Sequence, residues 1–123
     1  MLLSSFLELK KRARHAKRWS SNKHVQVGCA LSNGVSSYNS YIGKETRDTT
    51  LHAEMKALGE SARKGIPTEG CTLYVTLSPC VDCAKIIISS GISEVYYDEV
   101  DEYSPNALEL LNEAGVKTVL TDV

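Results

Sequence analysis

The sequence predicts a single α/β domain with helices on both faces of one sheet. Three observations carry this. Short runs rich in β-branched and aromatic residues alternate with longer amphipathic stretches through the second half of the chain. Glycine and proline stops separate them, and no repeat, low-complexity tract or linker marks an internal boundary. The 123 residues, 42% of them hydrophobic, suit one core, so residues 1–123 are read as one domain. A chain of this length buries roughly two-thirds of its unfolded surface, so neither disulfides nor a metal is needed merely to fold.

The elements follow in order. Leu3, Phe6, Leu7, Ala13, Ala16 and Trp19 are consistent with one face of an opening amphipathic helix, and Ser20-Ser21-Asn22 supplies its stop. Val25–Leu31 reads as a strand, Ser32-Asn33-Gly34 as a hairpin turn, and Val35 to Ile42 as an antiparallel partner strand. Thr49 or Thr50 can cap a helix from about Leu51 to Lys64, closed by Gly65 and followed by Pro67. Leu73–Leu77 is a third strand, Cys80–Ser90 a helix stopped by Gly91, and Ile92–Tyr97 a fourth strand. Ser104-Pro105 opens a last helix through Ala114, Gly115 ends it, and Val116–Leu120 is the fifth strand. Strands that alternate with helices pair in parallel.

Several classes are excluded early. The apolar start, Met1 to Leu7, is too short for a signal-peptide core, and its cations follow the apolar stretch. No run approaches the roughly 18 apolar residues of a membrane span, so a cytoplasmic protein without membrane contact is expected. In a reducing compartment, Cys29, Cys71, Cys80 and Cys83 read as thiols or metal ligands. Cys29 and Cys71 lie in strands and read as small core residues. The net charge of −1 hides an asymmetry: residues 1–44 carry eight Lys/Arg against the single acid Glu8, whereas residues 45–123 carry six against fourteen. The basic cluster Lys10, Lys11, Arg12, Arg14, Lys17, Arg18 and Lys23 reads as a solvated helix face, or as a surface that meets phosphate.

The chemistry sits at two helix starts. His52-Ala53-Glu54 opens the second helix and Pro79-Cys80-Val81-Asp82-Cys83 the third. Helix starts beside the carboxyl ends of parallel strands are where open α/β sheets place ligands. Cys80 and Cys83, at i and i+3, share a helical face, and His52 supplies a third ligand. Three protein ligands to zinc leave a position for water, the catalytic pattern, whereas a structural site fills all four. Zinc lowers the pKa of water toward about 7, and Glu54 is the acid tied to the motif in sequence, suited to shuttle the proton. Asp82 lies on another helical face and reads as favourable charge at a helix N-terminus. The pattern resembles the H-x-E…P-C-x-x-C signature of zinc nucleobase deaminases.

Beyond the ligands, Leu73 through Lys85, followed by Gly91-Ile92, Val95-Tyr96-Tyr97 and Leu110 through Val116, resembles the deoxycytidylate (dCMP) deaminase family of the cytidine deaminase-like superfamily. That resemblance implies a three-layer α/β/α sandwich with a five-stranded mixed sheet, a Zn2+ cofactor and homo-oligomeric assembly. It implies that Asn39, in Ser37-Tyr38-Asn39-Ser40, contacts substrate. Both flanking glycines of the family's segment are absent here, which argues against allosteric dCTP/dTTP control. By the same analogy the Ala53 backbone and the Ser78 carbonyl read the pyrimidine edge and Thr76 lines the pocket. Tyr96 or Tyr97 stacks on the base, strand alternation sending one inward and the other outward.

Ser78 before Pro79-Cys80 resembles the dCMP deaminases, whereas tRNA adenosine and guanine deaminases usually carry glutamate there. Arg47 through His52 resembles the adenosine- and guanine-acting branch instead. Hydrolytic deamination of dCMP to dUMP and ammonia is the leading expectation, with Lys23, Lys44 or Arg47 holding the phosphate. Two alternatives remain: a polynucleotide or guanine deaminase, which for nucleic acid would use the basic first helix, and a zinc module without turnover, against which Glu54 argues.

Overall fold

A computed structural model describes residues 3–121. Met1 and Leu2, where the apolar N-terminal segment begins, and the side chain of Arg47, one of the phosphate candidates, lie outside the described residues. The elements are α1 (Leu3–Lys17), β1 (Gly28–Leu31), β2 (Ser36–Tyr38), β3 (Ser40–Tyr41), β4 (Thr50–Leu51), α2 (Ala53–Lys64), β5 (Thr72–Leu77), α3 (Val81–Ser89), β6 (Glu94–Glu99), α4 (Asn106–Glu113) and β7 (Lys117–Leu120). Five strands form one sheet in the order β2-β1-β5-β6-β7, and β3 pairs with β4 in a separate two-stranded ribbon. β1 is antiparallel to both β2 and β5, while β5, β6 and β7 are parallel, so the sheet is mixed as expected.

Strand alternation sorts side chains to two faces. Cys29, Leu31, Leu73, Val75, Val95 and Tyr97 meet Ala53, Ala57 and Leu58 of α2, Ala84 and Ile87 of α3, and Ala107 and Leu111 of α4. Ala30, Tyr74 and Tyr96 point the other way, against Phe6, Leu9 and Ala13 of α1. The result is a three-layer α/β/α sandwich with one helix on one face and three on the other. Full burial of side chains such as Ile87 and Leu111 contributes about 1.5–3 kcal/mol each.

The structure corrects the reading of α1. Leu3, Leu7 and Trp19 are exposed, and the buried face runs through Leu9, Lys10, Ala13 and Ala16. Lys10, placed in the solvated cluster by sequence, is 4% exposed. Its ammonium lies 3.6 Å from Asp98 Oδ1 and donates to Thr121 Oγ1 at 3.4 Å. Arg14 pairs with Asp98 through Nε and Nη2, both at 3.1 Å. Arg12 donates to the carbonyls of Leu31 and Val35. Three of the seven cations therefore pin α1 to the sheet. The helix also crosses directly over Gly28, where a Cβ would overlap Ala13 O and Lys17 N, so only glycine fits.

Two strand boundaries also differ. The second predicted strand breaks at Asn39, and its distal piece pairs with Thr50–Leu51, which the sequence assigned to a helix. Val25 and Gln26 fall outside β1 because the Asn39 side chain takes the Val25 carbonyl and the Val27 N–H. Cys29 is buried and Cys71 is partly buried against the core.

Candidate active site

Leu51 ends the β3–β4 ribbon, and His52 turns the chain into α2 with extended backbone angles (φ −71°, ψ 148°) and no side-chain cap. The imidazole is therefore free to point away from the helix it starts. Cys80 does the same for α3 (φ −77°, ψ 172°), but its Sγ accepts the Cys83 N–H at 3.5 Å. A thiolate at that position gains from the positive end of the helix dipole. Across the gap between the two helices, His52 Nδ1 lies 3.6 Å from Cys80 Sγ and 3.4 Å from Cys83 Sγ.

Those separations test the metal. A tetrahedral zinc with bonds of about 2.05 Å to nitrogen and about 2.3 Å to sulfur sets N···S edges near 3.6 Å. The three donor atoms, all within 4.8 Å of one another, match that spacing and offer the imidazole and soft thiolates that zinc prefers. The Cys80 thiol is pushed well down, first by the hydrogen bond from Cys83, then by His52, against the opposing effect of burial. His52 is raised, chiefly by its hydrogen bond with Cys80.

Glu54, on the first turn of α2, is 4% exposed. Burial pushes its carboxyl up to about 7; the N–H of its own residue and the nearby His52 charge pull the other way. It lines a pocket of about 260 Å3 with His52, Ala53, Ser78, Cys80 and Asn39. Small-molecule pockets usually run from about 300 Å3 upward, so this one has room for a base and little more. α2 starts at His52 without a side-chain cap, and Ala53, its first residue, lines that space.

The remaining expectations divide. Asn39 lies at the pocket, 6% exposed, with its polar atoms engaged: Oδ1 accepts from Ser20 Oγ at 2.6 Å and Val27 N at 2.9 Å, and Nδ2 donates to Val25 O at 2.7 Å. One Nδ2 hydrogen is left over. Ser78 is buried, its N–H donating to Glu99 O and its Oγ accepting from Asp101 N, which ties the loop after β5 to the loop after β6. Thr76 faces α1, where its Oγ1 accepts from Gly28 N, and does not line the pocket. Tyr97 is packed in the core beneath α2 to α4, and Tyr96 lies against Phe6 at a centroid distance of 5.2 Å on the opposite face. Neither tyrosine reaches the pocket.

Sequence reasoning missed Asp101 and Tyr103. Both line the pocket from the loop between β6 and α4, where Asp101 Oδ1 accepts the Tyr103 N–H and leaves the ring 97% exposed at the rim. The signal was available: the rule that ligands lie beyond the carboxyl ends of parallel strands applies to β6 as it does to β5. Asn22 and Thr50 also line the pocket and carried no such signal.

An α/β/α sandwich that joins two thiols, an imidazole and a buried acid at adjacent helix starts defines the class as zinc-site proteins of the deaminase type. The chain belongs to the family described as the cytidine and deoxycytidylate deaminase zinc-binding region, whose family model matches residues 4–99. It is 48% identical over 67 residues to ComE operon protein 2 of Bacillus subtilis (strain 168), covering 54% of this chain and 35% of that one. It is 47% identical over 68 residues to the deoxycytidylate deaminase of Enterobacteria phage T4, covering 54% and 35%. The matched stretch thus spans about a third of the length of these curated relatives. The crystal structure of dCMP deaminase from the cyanophage S-TIM5 in complex with dCMP and dUMP superposes with a TM-score of 0.88 at 26% identity, covering 98% of this chain and 99% of that one. No helix among the described residues is long and apolar enough to cross a membrane.

Proposed function

We propose that the chain is a zinc-dependent deaminase that converts a cytosine nucleotide, dCMP foremost, to its uracil counterpart with release of ammonia. The convergence of His52, Cys80 and Cys83 beside the buried Glu54 in one base-sized pocket carries this reading. The superposition on a protein crystallised with dCMP and dUMP supports the choice of substrate.

In this reading His52 Nδ1, Cys80 Sγ and Cys83 Sγ hold the zinc, which when bound supplies Lewis-acid activation of water. A Glu54 carboxylate oxygen takes the proton released as water adds to the ring carbon and passes it to the adjacent ring nitrogen, then takes the proton of the new hydroxyl and delivers it to the amino nitrogen as the C–N bond breaks, leaving the uracil carbonyl and ammonia. The Ala53 N–H and the Ser78 carbonyl meet the polar edge of the pyrimidine, and the spare Nδ2 hydrogen of Asn39 faces the sugar. Tyr103, in place of Tyr97, covers the exposed side of the base.

The described lining of the pocket holds no Lys or Arg. The nucleotide phosphate therefore extends into the adjoining groove, where Lys23 and His24 stand beside Val25 and Tyr103. The cytoplasmic location, and assembly as a homo-oligomer, belong to the same proposal; the four cysteines are free thiols, in keeping with a reducing compartment. Light scattering measures the assembly.

The test is ammonia release across dCMP, CMP, deoxycytidine, cytosine and guanine, with metal content measured on the same sample. Fastest turnover of dCMP by a chain carrying one zinc is the expected result. Zinc-loaded protein that is inactive on every cytosine compound would overturn the reading.

A further inference from the structure

The first half of α2 carries a cation that the catalytic reading leaves unused. Lys56 lies one turn after His52, and its N–H donates to the His52 carbonyl at 3.0 Å. It stands two positions beyond Glu54, a rotation of about 200° around the helix, and is absent from the lining of the pocket that Glu54 faces. Its half-buried side chain instead reaches β2 and β3. The ammonium sits 4.1 Å from the centroid of the Tyr38 ring and donates to Ser40 Oγ at 2.8 Å. Among the described residues no carboxylate lies within 4.0 Å of it.

Tyr38 and Ser40 are the two neighbours of Asn39. Tyr38 ends β2 and Ser40 opens β3, so the ammonium bridges the break at which Asn39 leaves the sheet. From the other side Asn39 is gripped by the segment before β1: its N–H donates to the Val27 carbonyl, and its side chain takes Ser20, Val25 and Val27. Asn22, Val25, Val27 and Asn39 together line one wall of the pocket. Ser40 also pairs with Leu51, the residue before His52. A ring is thereby closed, from His52 up one helical turn to Lys56, through the ammonium to Ser40, across the ribbon to Leu51 and back to His52. Among the described residues no other side-chain hydrogen bond joins α2 to residues 38–41. Ordering a lysine stem gives up more rotamer freedom than ordering a leucine, and the charge-assisted hydrogen bond and the cation–π contact offset that loss.

We propose that Lys56 is a positioning residue: by clasping Tyr38 and Ser40 it fixes Asn39 and the adjoining pocket wall at the distance from Glu54 that the sugar of the nucleotide requires. The contact with the sugar rests on the deaminase reading; the clasp does not.

The experiment uses the full chain with zinc and compares Lys56→Met, Ser40→Ala, the double variant and Lys56→Arg with wild type. Methionine keeps an unbranched stem and loses the charge and the donors. Lys56→Met should raise KM for dCMP about fivefold, with kcat and zinc content at wild-type values. Ser40→Ala should raise KM about twofold, and the double variant should be no worse than Lys56→Met, because both substitutions break one contact. Lys56→Arg, which can stack on Tyr38 and donate to Ser40, should recover most of the loss. Amide hydrogen exchange reads the clasp without substrate: Asn39 and Val27 should exchange faster in Lys56→Met, while Ala57 and Leu58 in α2 stay as protected as in wild type. Ser40→Ala, which removes a single oxygen, carries the same two readouts if Lys56→Met does not fold. An unaltered KM, unaltered exchange at Asn39, KM effects that add in the double variant, or protection lost throughout α2 would each overturn the proposal. Wild type inactive on every cytosine compound, with faster Asn39 exchange in Lys56→Met, sinks the functional reading and leaves the clasp standing; an active wild type with unaltered variants sinks the clasp alone.

Discussion

His52 Nδ1 lies 3.4 Å from Cys83 Sγ, although 31 residues, one helix and one strand separate them in the chain. Each side chain is delivered by the start of a different helix. Zinc content is therefore the first quantity to measure. Cys80→Ala and Cys83→Ala should each lower zinc from one per chain to a small fraction, read by atomic emission after dialysis, with deamination reduced in parallel. Stoichiometric, tightly held zinc in Cys80→Ala would show that the ligand set is wrong. Chelation of the wild type should abolish turnover, and added zinc should restore it.

Glu54 sits two residues beyond His52 and is buried in the same pocket. Glu54→Gln keeps the volume and removes the proton carrier. Its kcat should fall by about 10²–10⁴-fold while zinc content and the binding of dUMP stay near wild type. Wild-type kcat in a zinc-loaded Glu54→Gln protein would rule out the proton-shuttle role.

Tyr103 is almost fully exposed at the pocket rim, so its removal should leave the fold intact. Loss of base–aromatic stacking costs about 1–3 kcal/mol. Tyr103→Ala should accordingly raise KM for dCMP by roughly 5- to 150-fold with an unchanged melting temperature, and Tyr103→Phe should restore it. An unaltered KM in Tyr103→Ala would remove the ring from the site.

Asn39 makes three hydrogen bonds that shape the segment from Ser20 to Val27, part of the pocket wall. Asn39→Ala leaves buried Val27 N–H without its acceptor, a loss of about 1–3 kcal/mol on denaturant unfolding. KM should rise as well. Asn39→Asp, which retains both accepted bonds, should recover most of the stability while losing the Nδ2 donors. If both variants bind dCMP like wild type, Asn39 serves the fold alone.

Asp98 joins α1 to the sheet through Lys10, Arg14 and Tyr74. Burial on its own would raise its carboxyl; the hydrogen bonds from Arg14 and Tyr74 and the charges of Arg14 and Lys10 outweigh burial and hold it below the usual carboxylate value of 3.8. A carboxyl depressed in the folded state contributes stability that is fully present above its unfolded pKa and is lost as pH falls through the folded one. Stability should therefore drop more steeply below pH about 4 in wild type than in Asp98→Asn. The variant should also be less stable at neutral pH, because Lys10 keeps a buried ammonium without its counter-charge. Parallel acid-unfolding curves for the two proteins would discard this account.

Much of the molecule was legible in the chain because the rules concerned act over a few residues. The spacing of Cys80 and Cys83, the Pro67 and Pro105 boundaries and the left-handed Gly65 that closes α2 at φ 69° are local features, and they placed α2, α3 and α4 and the candidate metal ligands. The alternation of strands and helices was equally local, and with it the three-layer class.

Which face of each element looks at the site depended on partners far away in the chain. Trp19 and Leu9 both suit an amphipathic helix; packing across Gly28 and the Lys10–Asp98 contact chose Leu9 for the core and left Trp19 in solvent. Tyr96 and Tyr97 were indistinguishable until the parallel register, Tyr74 with Tyr96 and Val75 with Tyr97, sent one under α1 and the other into the main core. The sequence by itself singled out the candidates for binding a metal and moving a proton. Only the tertiary structure decided that Tyr103 and Asp101 form the rim while Thr76 and Tyr97 do not, because a strand's two faces are equivalent until sheet order and register assign a layer to each.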